Sequence, residues 1–373
     1  MGKTTIKYGC SIVLAILFAI VCVLAQQIFA GETKEAAAEQ KPLEKDLYDG
    51  NGLITGTELS DQVVYESDSI VCFEDRVLQK FRYDPENAKK VAAITEGILQ
   101  TCPKLKHVYV LPVPHRIFLE EGFEGEKETY QTYLTQLTEE LPEKAALVDV
   151  LPVLEEHREE YIFFRTEDSW TAKGACYGME PLCERLGVNA FPLSRYEEYM
   201  YTSFTGALPL LEEFKKQVAG TLPADQTYYY LLPDSVDRVE VIRTDQEGKE
   251  VRYKKPLITA SAGNTGAFID SPFTRAIVEG KACAKKYQGR YVLVLCDERG
   301  KLLVPYLKDY YDGVYVVSVK EDPGLYEDLQ AIVDAYHITE VVFAQGASEM
   351  GAAGYDLAFL RFYENEGGSP GTD

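Results

Sequence analysis

The chain has 373 residues, 46% of them hydrophobic and 26% charged, and a formal net charge of −22. That length buries a full core as one large domain or two ordinary ones, and the composition is that of a folded globular protein. The acidic balance argues against nucleic acid or an anionic membrane surface as a partner, because both are bound through basic patches.

At the N-terminus, Lys3 and Lys7 precede an uncharged apolar run over residues 9–25, which continues weakly through Ile28, Phe29 and Ala30. This is the basic and apolar pattern of an exported chain. The run is near the shortest length that spans a bilayer as a helix, about 17 residues. Val23-Leu24-Ala25 offers a small-residue cleavage site. The alternative, favoured here, is an uncleaved anchor over residues 1–30, with the lysines inside and the rest of the chain outside the membrane. Residues 31–46, rich in Ala, Glu and Lys, read as a tether. Residues 47–365 form the folded part, and residues 366–373 (EGGSPGTD) a disordered tail.

Within the folded part, apolar strand-like runs alternate with helical patterns. The strands are expected at 107–113, 145–150, 161–164, 291–296, 314–319 and 341–344. Helices are expected at 85–100, 126–141, 171–186, 302–310 and 325–336. Strands that are apolar throughout and separated by helices indicate a parallel sheet covered on both faces, hence a doubly wound α/β sandwich. Residues 205–260 break this rhythm with a helix at 208–218 and alternating strands at 227–232, 238–243 and 250–254. They read as an antiparallel insertion on the functional edge of the sheet.

Of the eight cysteines, Cys10 and Cys22 lie in the apolar segment. No C-x-x-C and no zinc-spaced Cys/His cluster occurs, so the others are expected as buried small hydrophobes. No cofactor is implied. Residues 261–266 (SAGNTG) lack phosphate-loop spacing and a lysine, and read as a turn.

The most informative internal stretch is residues 165–175, RTEDSWTAKGA, which contains the only tryptophan, Trp170. It follows an expected strand and opens a helix whose N-cap is Thr171, a position where doubly wound sheets bind ligands. The stretch resembles the signature of the DHHW family, an Arg-Thr-Asp-His-His-Trp-Thr run before Gly-Ala and a helix. Residues 289–320 are similar to that family's second block, a strand leading into Asp-Ser and then a helix containing Val-Pro-Phe-Leu. Residues 107–114 resemble its early strand ending in Val-Pro.

The family is similar to SGNH hydrolases, in particular to alginate O-acetylation proteins of bacterial envelopes. The resemblance implies a Ser nucleophile, a His base and an orienting Asp. On this chain the orienting Asp falls on Glu167, the two histidines on Asp168 and Ser169, and the nucleophile on Glu298. The Gly-Gly-Asn that would serve as oxyanion donors becomes Asp270-Ser271-Pro272, and proline has no amide proton to donate. Arg165, Thr166, Trp170, Thr171, Gly174, Ala175, Asp297, Pro305 and Leu307 survive. The expected cleft is therefore Arg165, Glu167, Asp168, Ser169, Trp170, Asp297, Glu298 and His115.

Only four histidines exist: His107, His115, His157 and His337. His115 is the one placed to face the sheet's carboxyl edge, where a pairing with Ser169 would rebuild a site; a surface role is the plainer expectation. Glu167, Asp168 and Glu298 would bring three carboxylates together, able to take a divalent cation. The favoured reading is a vacated pocket that drifted acidic, with no metal. The Tyr228-Tyr229-Tyr230 run would stack on sugars if exposed, but alternation along a strand favours packing.

The resulting expectation is a membrane-anchored, extracytoplasmic, catalytically inactive protein. It would bind cell-envelope polysaccharide or a membrane acetyltransferase. The alternative is an active O-acetyltransferase or carbohydrate esterase with a rebuilt site.

Overall fold

A computed structural model describes residues 59–210, 222–233, 235–244, 248–258, 268–269, 272–352 and 357–365. The expected anchor, tether and tail, the 261–266 turn and most of the 208–218 helix lie outside the described residues. Among the described residues, no helix is long and apolar enough to cross a membrane.

Thirteen strands are described. A small antiparallel sheet comprises β1 (Val63–Glu66), β2 (Ile70–Phe73) and β3 (Val77–Gln79). The strands that follow are β4 (His107–Val113), β5 (Ala145–Leu147), β6 (Glu197–Phe204), β7 (Asp225–Leu231), β8 (Val239–Thr244) and β9 (Glu250–Lys255). The last four are β10 (Arg275–Glu279), β11 (Tyr291–Cys296), β12 (Gly313–Ser318) and β13 (Glu340–Gly346). The central sheet has eight strands in the order β5-β4-β13-β11-β12-β10-β8-β9. Pairings from β5 to β12 are parallel; those from β12 to β9 are antiparallel. The sheet is thus mixed, with a parallel half and an antiparallel half.

The parallel half explains its own sequence. Along β4, Tyr109, Leu111 and Val113 enter one core and Val108 and Val110 the other. Along β11, Val292, Val294 and Cys296 alternate in the same way with Leu293 and Leu295. Strands that must bury both faces cannot alternate with polar residues, so they read as continuous apolar runs. Helix Ala172–Leu186 packs in the first core, and helices Pro85–Thr101, Glu124–Glu140 and Leu325–Ala335 in the second.

Local chemistry sets the helix ends. The Asp84 carboxylate accepts from the Glu86 amide at 3.0 Å, with Pro85 beginning the helix. The Thr171 hydroxyl accepts from the Gly174 amide at 3.3 Å, confirming the expected N-cap. Gly187 closes the same helix with φ 65°, a left-handed turn that favours glycine.

Three expectations need correction. Residues 161–164 are no strand of the central sheet; Phe163 only bridges Trp170, because Phe164 accepts no neighbouring strand and instead donates its amide to the Ser169 carbonyl. The 302–310 helix is shorter, a 3₁₀ turn at Gly300–Leu303 followed by Val304–Leu307. The antiparallel insertion is not one unit. Its first strand, β7, pairs with β6, which sequence reading did not find, while β8 and β9 extend the central sheet through β10. The six described cysteines are all free, and all but Cys283 are buried.

Candidate functional site at the carboxyl edge of the sheet

The 165–171 segment is a loop held by its own backbone. Phe164 donates its amide to the Ser169 carbonyl at 3.1 Å, and Ser169 donates to the Glu167 carbonyl at 2.9 Å. Asp225, fully buried at the start of β7, grips one side of it. Its Oδ1 accepts from the Tyr161 hydroxyl (2.6 Å) and the Arg165 amide (2.7 Å). Its Oδ2 accepts from the Thr166 amide (2.8 Å) and hydroxyl (2.5 Å). Gly206 comes so close that a Cβ there would meet the Thr166 carbonyl oxygen at 2.2 Å. The other side is pinned by Trp170, fully buried, whose indole N–H donates to the Arg299 carbonyl at 2.9 Å.

Beneath the loop lie the ends of β11 and β13. Asp297 follows β11; its Oδ1 accepts from the amides of Arg299 and Gly300 (both 2.9 Å), and its Oδ2 from the Gly346 amide at 3.0 Å. One carboxylate thereby ties two neighbouring strand ends together. Arg299 then spans the edge. Its Nη2 lies 2.7 Å from Asp168 Oδ2 and 3.1 Å from Glu349 Oε1, and its Nη1 lies 3.2 Å from Asp297 Oδ2. Burial alone would lower the guanidinium pKa, but Asp168, Glu349 and Asp297 reverse that and raise it well above its ordinary value. Burial likewise would raise the Asp168 carboxyl, and His115 and Arg299 more than offset it, holding Asp168 well below the usual carboxylate range.

His115 follows β4 and is 2% exposed. The rings of Phe81 and Phe118 lie 5.9 and 5.6 Å from its own. Its Nε2 is 2.8 Å from the Ser348 hydroxyl, just past β13. Its Nδ1 is 3.1 Å from Asp168 Oδ1, an ion-pair distance at which the N–H points off the line a hydrogen bond requires. Ser348, His115, Asp168 and Arg299 thus form one chain of polar contacts, drawn from four separate segments.

The DHHW protein family matches residues 138–317. Residues 138–317 are a DHHW region. A DHHW family protein from Eubacterium siraeum DSM 15702 shares the fold with a TM-score of 0.64 and 19% identity, over 83% of this chain and 98% of that one. PatB1 of Bacillus cereus, in a structure with a sulfonyl adduct, shares it with a TM-score of 0.58 and 13% identity, over 76% of this chain and 96% of that one. No curated protein matches the sequence.

Placed on the structure, the DHHW motif positions separate. Asp168 and Asp297 both pair with Arg299, Trp170 donates to the Arg299 carbonyl, and His115 lies against Asp168. Arg165 is buried, with its Nη1 4.0 Å from Asp75, on the far side of the loop from Arg299 in the bonding pattern. Glu167 turns to accept from the Ala207 amide at 2.9 Å, and burial raises its pKa. Ser169 is buried and its hydroxyl donates to the Trp170 carbonyl at 3.1 Å, so the less favoured alternative, a His115–Ser169 pair, does not form. Glu298 is ion-paired with the buried Lys301. The three expected carboxylates therefore do not converge, and among the described residues no cluster could hold a metal ion.

Two further expectations are settled here. His115 is buried rather than a surface residue. Tyr228 and Tyr230 pack in the core and Tyr229 stacks on Tyr199 with centroids 4.9 Å apart, as the packing reading requires. Asp270 and Ser271 lie outside the described residues. Sequence reading missed Ser348, Arg299, Glu349 and Asp225. Arg299 follows directly on the quoted Asp297-Glu298 and was within reach; Ser348 carries no motif at all.

Proposed function

We propose that the protein is held at the cell membrane by residues 1–30 and works outside the cytoplasm in the O-acetylation of cell-envelope polysaccharide. Its family catalytic positions, Glu167, Ser169 and Glu298, take no part in the chemistry. The supporting observation is that the DHHW loop is kept rigid over the carboxyl edge while each of those three side chains is committed to a structural bond. The likeness of the DHHW family to alginate O-acetylation proteins supports the substrate class, and that is an analogy of fold and motif.

A place for polymer supports it too. A cleft of about 850 Å3 is lined by Phe73, Arg76, Arg116, Arg158, Tyr161 and Arg165, with Glu120 between the Arg76 and Arg116 guanidiniums and Glu121 paired with Arg158. Flat polar groups beside aromatic rings suit the hydroxyl-rich edges and apolar faces of sugar rings. A second reading, a binding subunit beside a membrane acetyltransferase, is favoured by the same commitment of the family positions.

The test is binding of the full chain in detergent to acetylated and deacetylated envelope polysaccharide, followed calorimetrically, together with turnover of a small acetyl ester. Binding is expected, and Glu298→Ala and Ser169→Ala should leave turnover within about twofold of wild type. Absence of binding to either polysaccharide would remove the glycan assignment. Loss of turnover in Glu298→Ala would restore the family site.

A further inference from the structure

We propose that Ser348 is an acyl-accepting nucleophile, with His115 as its base and Asp168 as the group that orients the imidazole. The site uses none of the positions at which the DHHW motif places a serine or a base, and it rests on the acetyl-transfer reading above.

The geometry has the three properties such a site needs. First, the hydroxyl and the carboxylate sit on opposite nitrogens of one ring, Ser348 Oγ 2.8 Å from Nε2 and Asp168 Oδ1 3.1 Å from Nδ1. A carboxylate beside Nδ1 favours the tautomer with its proton there, which leaves the Nε2 lone pair to accept from the serine. The off-line angle at Nδ1 is of the kind that tightens when charge develops on the ring.

Second, the partners are fixed. Ala347 donates its amide to the Val113 carbonyl at 2.9 Å, and Gly346 donates to Asp297 at 3.0 Å, so the turn bearing Ser348 is tied to both flanking strands. His115 stands two residues beyond that same Val113, with its ring against both Phe81 and Phe118 and only 2% exposed. Asp168 is ion-paired on its other oxygen with Arg299 at 2.7 Å, which fixes the carboxylate where it can stabilise an imidazolium.

Third, Ser348 is half-buried at the rim while its base is buried, so an ester can reach the hydroxyl and bulk water is kept off the ring. Glu349 and Met350 both donate their amides to the Gly346 carbonyl, at 3.1 and 3.0 Å. Among the described residues, the Ser348 amide between them and Ala347 donates to none, and a nucleophile's own N–H is a usual donor to an oxyanion.

The chemistry balances on these groups. As Ser348 Oγ bonds to the acyl carbon of an ester, its proton passes to His115 Nε2. The bond from that carbon to the alcohol oxygen then breaks, and the alcohol leaves with the proton from Nε2. A sugar hydroxyl, or water, gives its proton to Nε2 as its oxygen attacks the acyl carbon, and Ser348 departs with that proton restored. The product is an acetylated sugar or free acetic acid. Arg299 is a positioning residue, acting only through Asp168.

The experiment is labelling of the full chain in detergent with a fluorophosphonate, which phosphonylates an activated serine, followed by peptide mass mapping. One adduct is expected, on Ser348. It should be absent in Ser348→Ala and form at least about 100-fold more slowly in His115→Gln. Acetyl-ester turnover should fall at least about 1,000-fold in Ser348→Ala. Should His115→Gln fail to fold, Ser348→Cys supplies the second measurement. Its alkylation by iodoacetamide should follow a pH profile shifted to lower pH than that of Cys283, the exposed thiol in the same protein. No adduct on Ser348, or an adduct on Ser169, overturns the assignment. A protein that binds glycan without labelling loses this inference and keeps the acetylation reading; one that labels on Ser348 without binding glycan does the reverse.

Discussion

The antiparallel end of the central sheet and the strand ends of its parallel half use ion pairs to different effect. At the antiparallel end, β9 presents Arg252 and Lys254 to Glu240 and Glu250 at 2.7 to 4.0 Å, with the two cationic side chains 52% and 73% exposed. In the parallel half, Arg299 meets Asp168, Asp297 and Glu349 at 2.7 to 3.2 Å, and its side chain is 15% exposed. Distances are alike; the surroundings are not. In water, such a pair contributes little, and its service on an edge strand is to discourage pairing with another chain. Out of water, each member depends on the others, because a single removal strands an uncompensated charge. The Arg299 cluster is therefore held by mutual compensation, whereas the β9 charges are held by solvent.

Removing Arg299 would break that contrast most strongly. Arg299→Ala leaves Asp168, Asp297 and Glu349 without their shared cation and should cost about 3–5 kcal/mol of folding stability, read from urea denaturation. A loss below about 1 kcal/mol would show that the edge is as well solvated as β9. Next comes the anchor on the loop's other side. Asp225→Asn puts an amide among four donors, and with one acceptor oxygen left it should cost about 1–3 kcal/mol, visible as a lowered denaturation midpoint.

The pH dependence sharpens the comparison without removing a contact. Asp168 and Glu120 have lowered pKa values, Asp168 through His115 and Arg299, Glu120 through Arg116 and Arg76 in spite of burial. Such groups add stability above their unfolded values, and that stability is lost as pH falls through their folded ones. Glu167 is the reverse case: burial raises its pKa, so its contribution is complete below the ordinary value of 4.5 and lost as pH rises through the folded value. Glu167→Gln should accordingly flatten the stability profile just above that ordinary value while leaving the acid limb unchanged. A profile with an unchanged upper limb would mean that Glu167 is solvated. The smallest effect is expected at the antiparallel end, where Arg252→Ala should change stability by no more than about 0.5 kcal/mol. A larger change would mean that β9 is covered by something other than solvent.

Legibility followed the same division. The parallel strands were readable because double burial writes itself as an unbroken apolar run, as in HVYVLPV and YVLVLC. Thr171 was readable as a cap because its bond is made three residues away. β6 was not, since its sequence EEYMYTSF pairs with a strand more than twenty residues on and buries little by itself. Residues 161–164 looked like a strand because they are apolar and buried; burial in that loop comes from Trp170, Asp225 and the helix that follows, not from a sheet neighbour.

For the site, the amino-acid sequence alone carried the DHHW match over residues 138–317 and the residues Asp168, Trp170, Asp297 and His115, which lie in the segments following β4 and β11 and in the loop before helix Ala172–Leu186. Those follow from motif and local pattern, which act over a few residues. The tertiary structure alone decided that β13, last in the chain, lies between β4 and β11, the strand of the second block. That order sets Ser348 against His115 across 233 positions of chain and Arg299 against Asp168 across 131. Strand order is chosen by how whole helices and sheet faces pack, so no local pattern in the sequence records it.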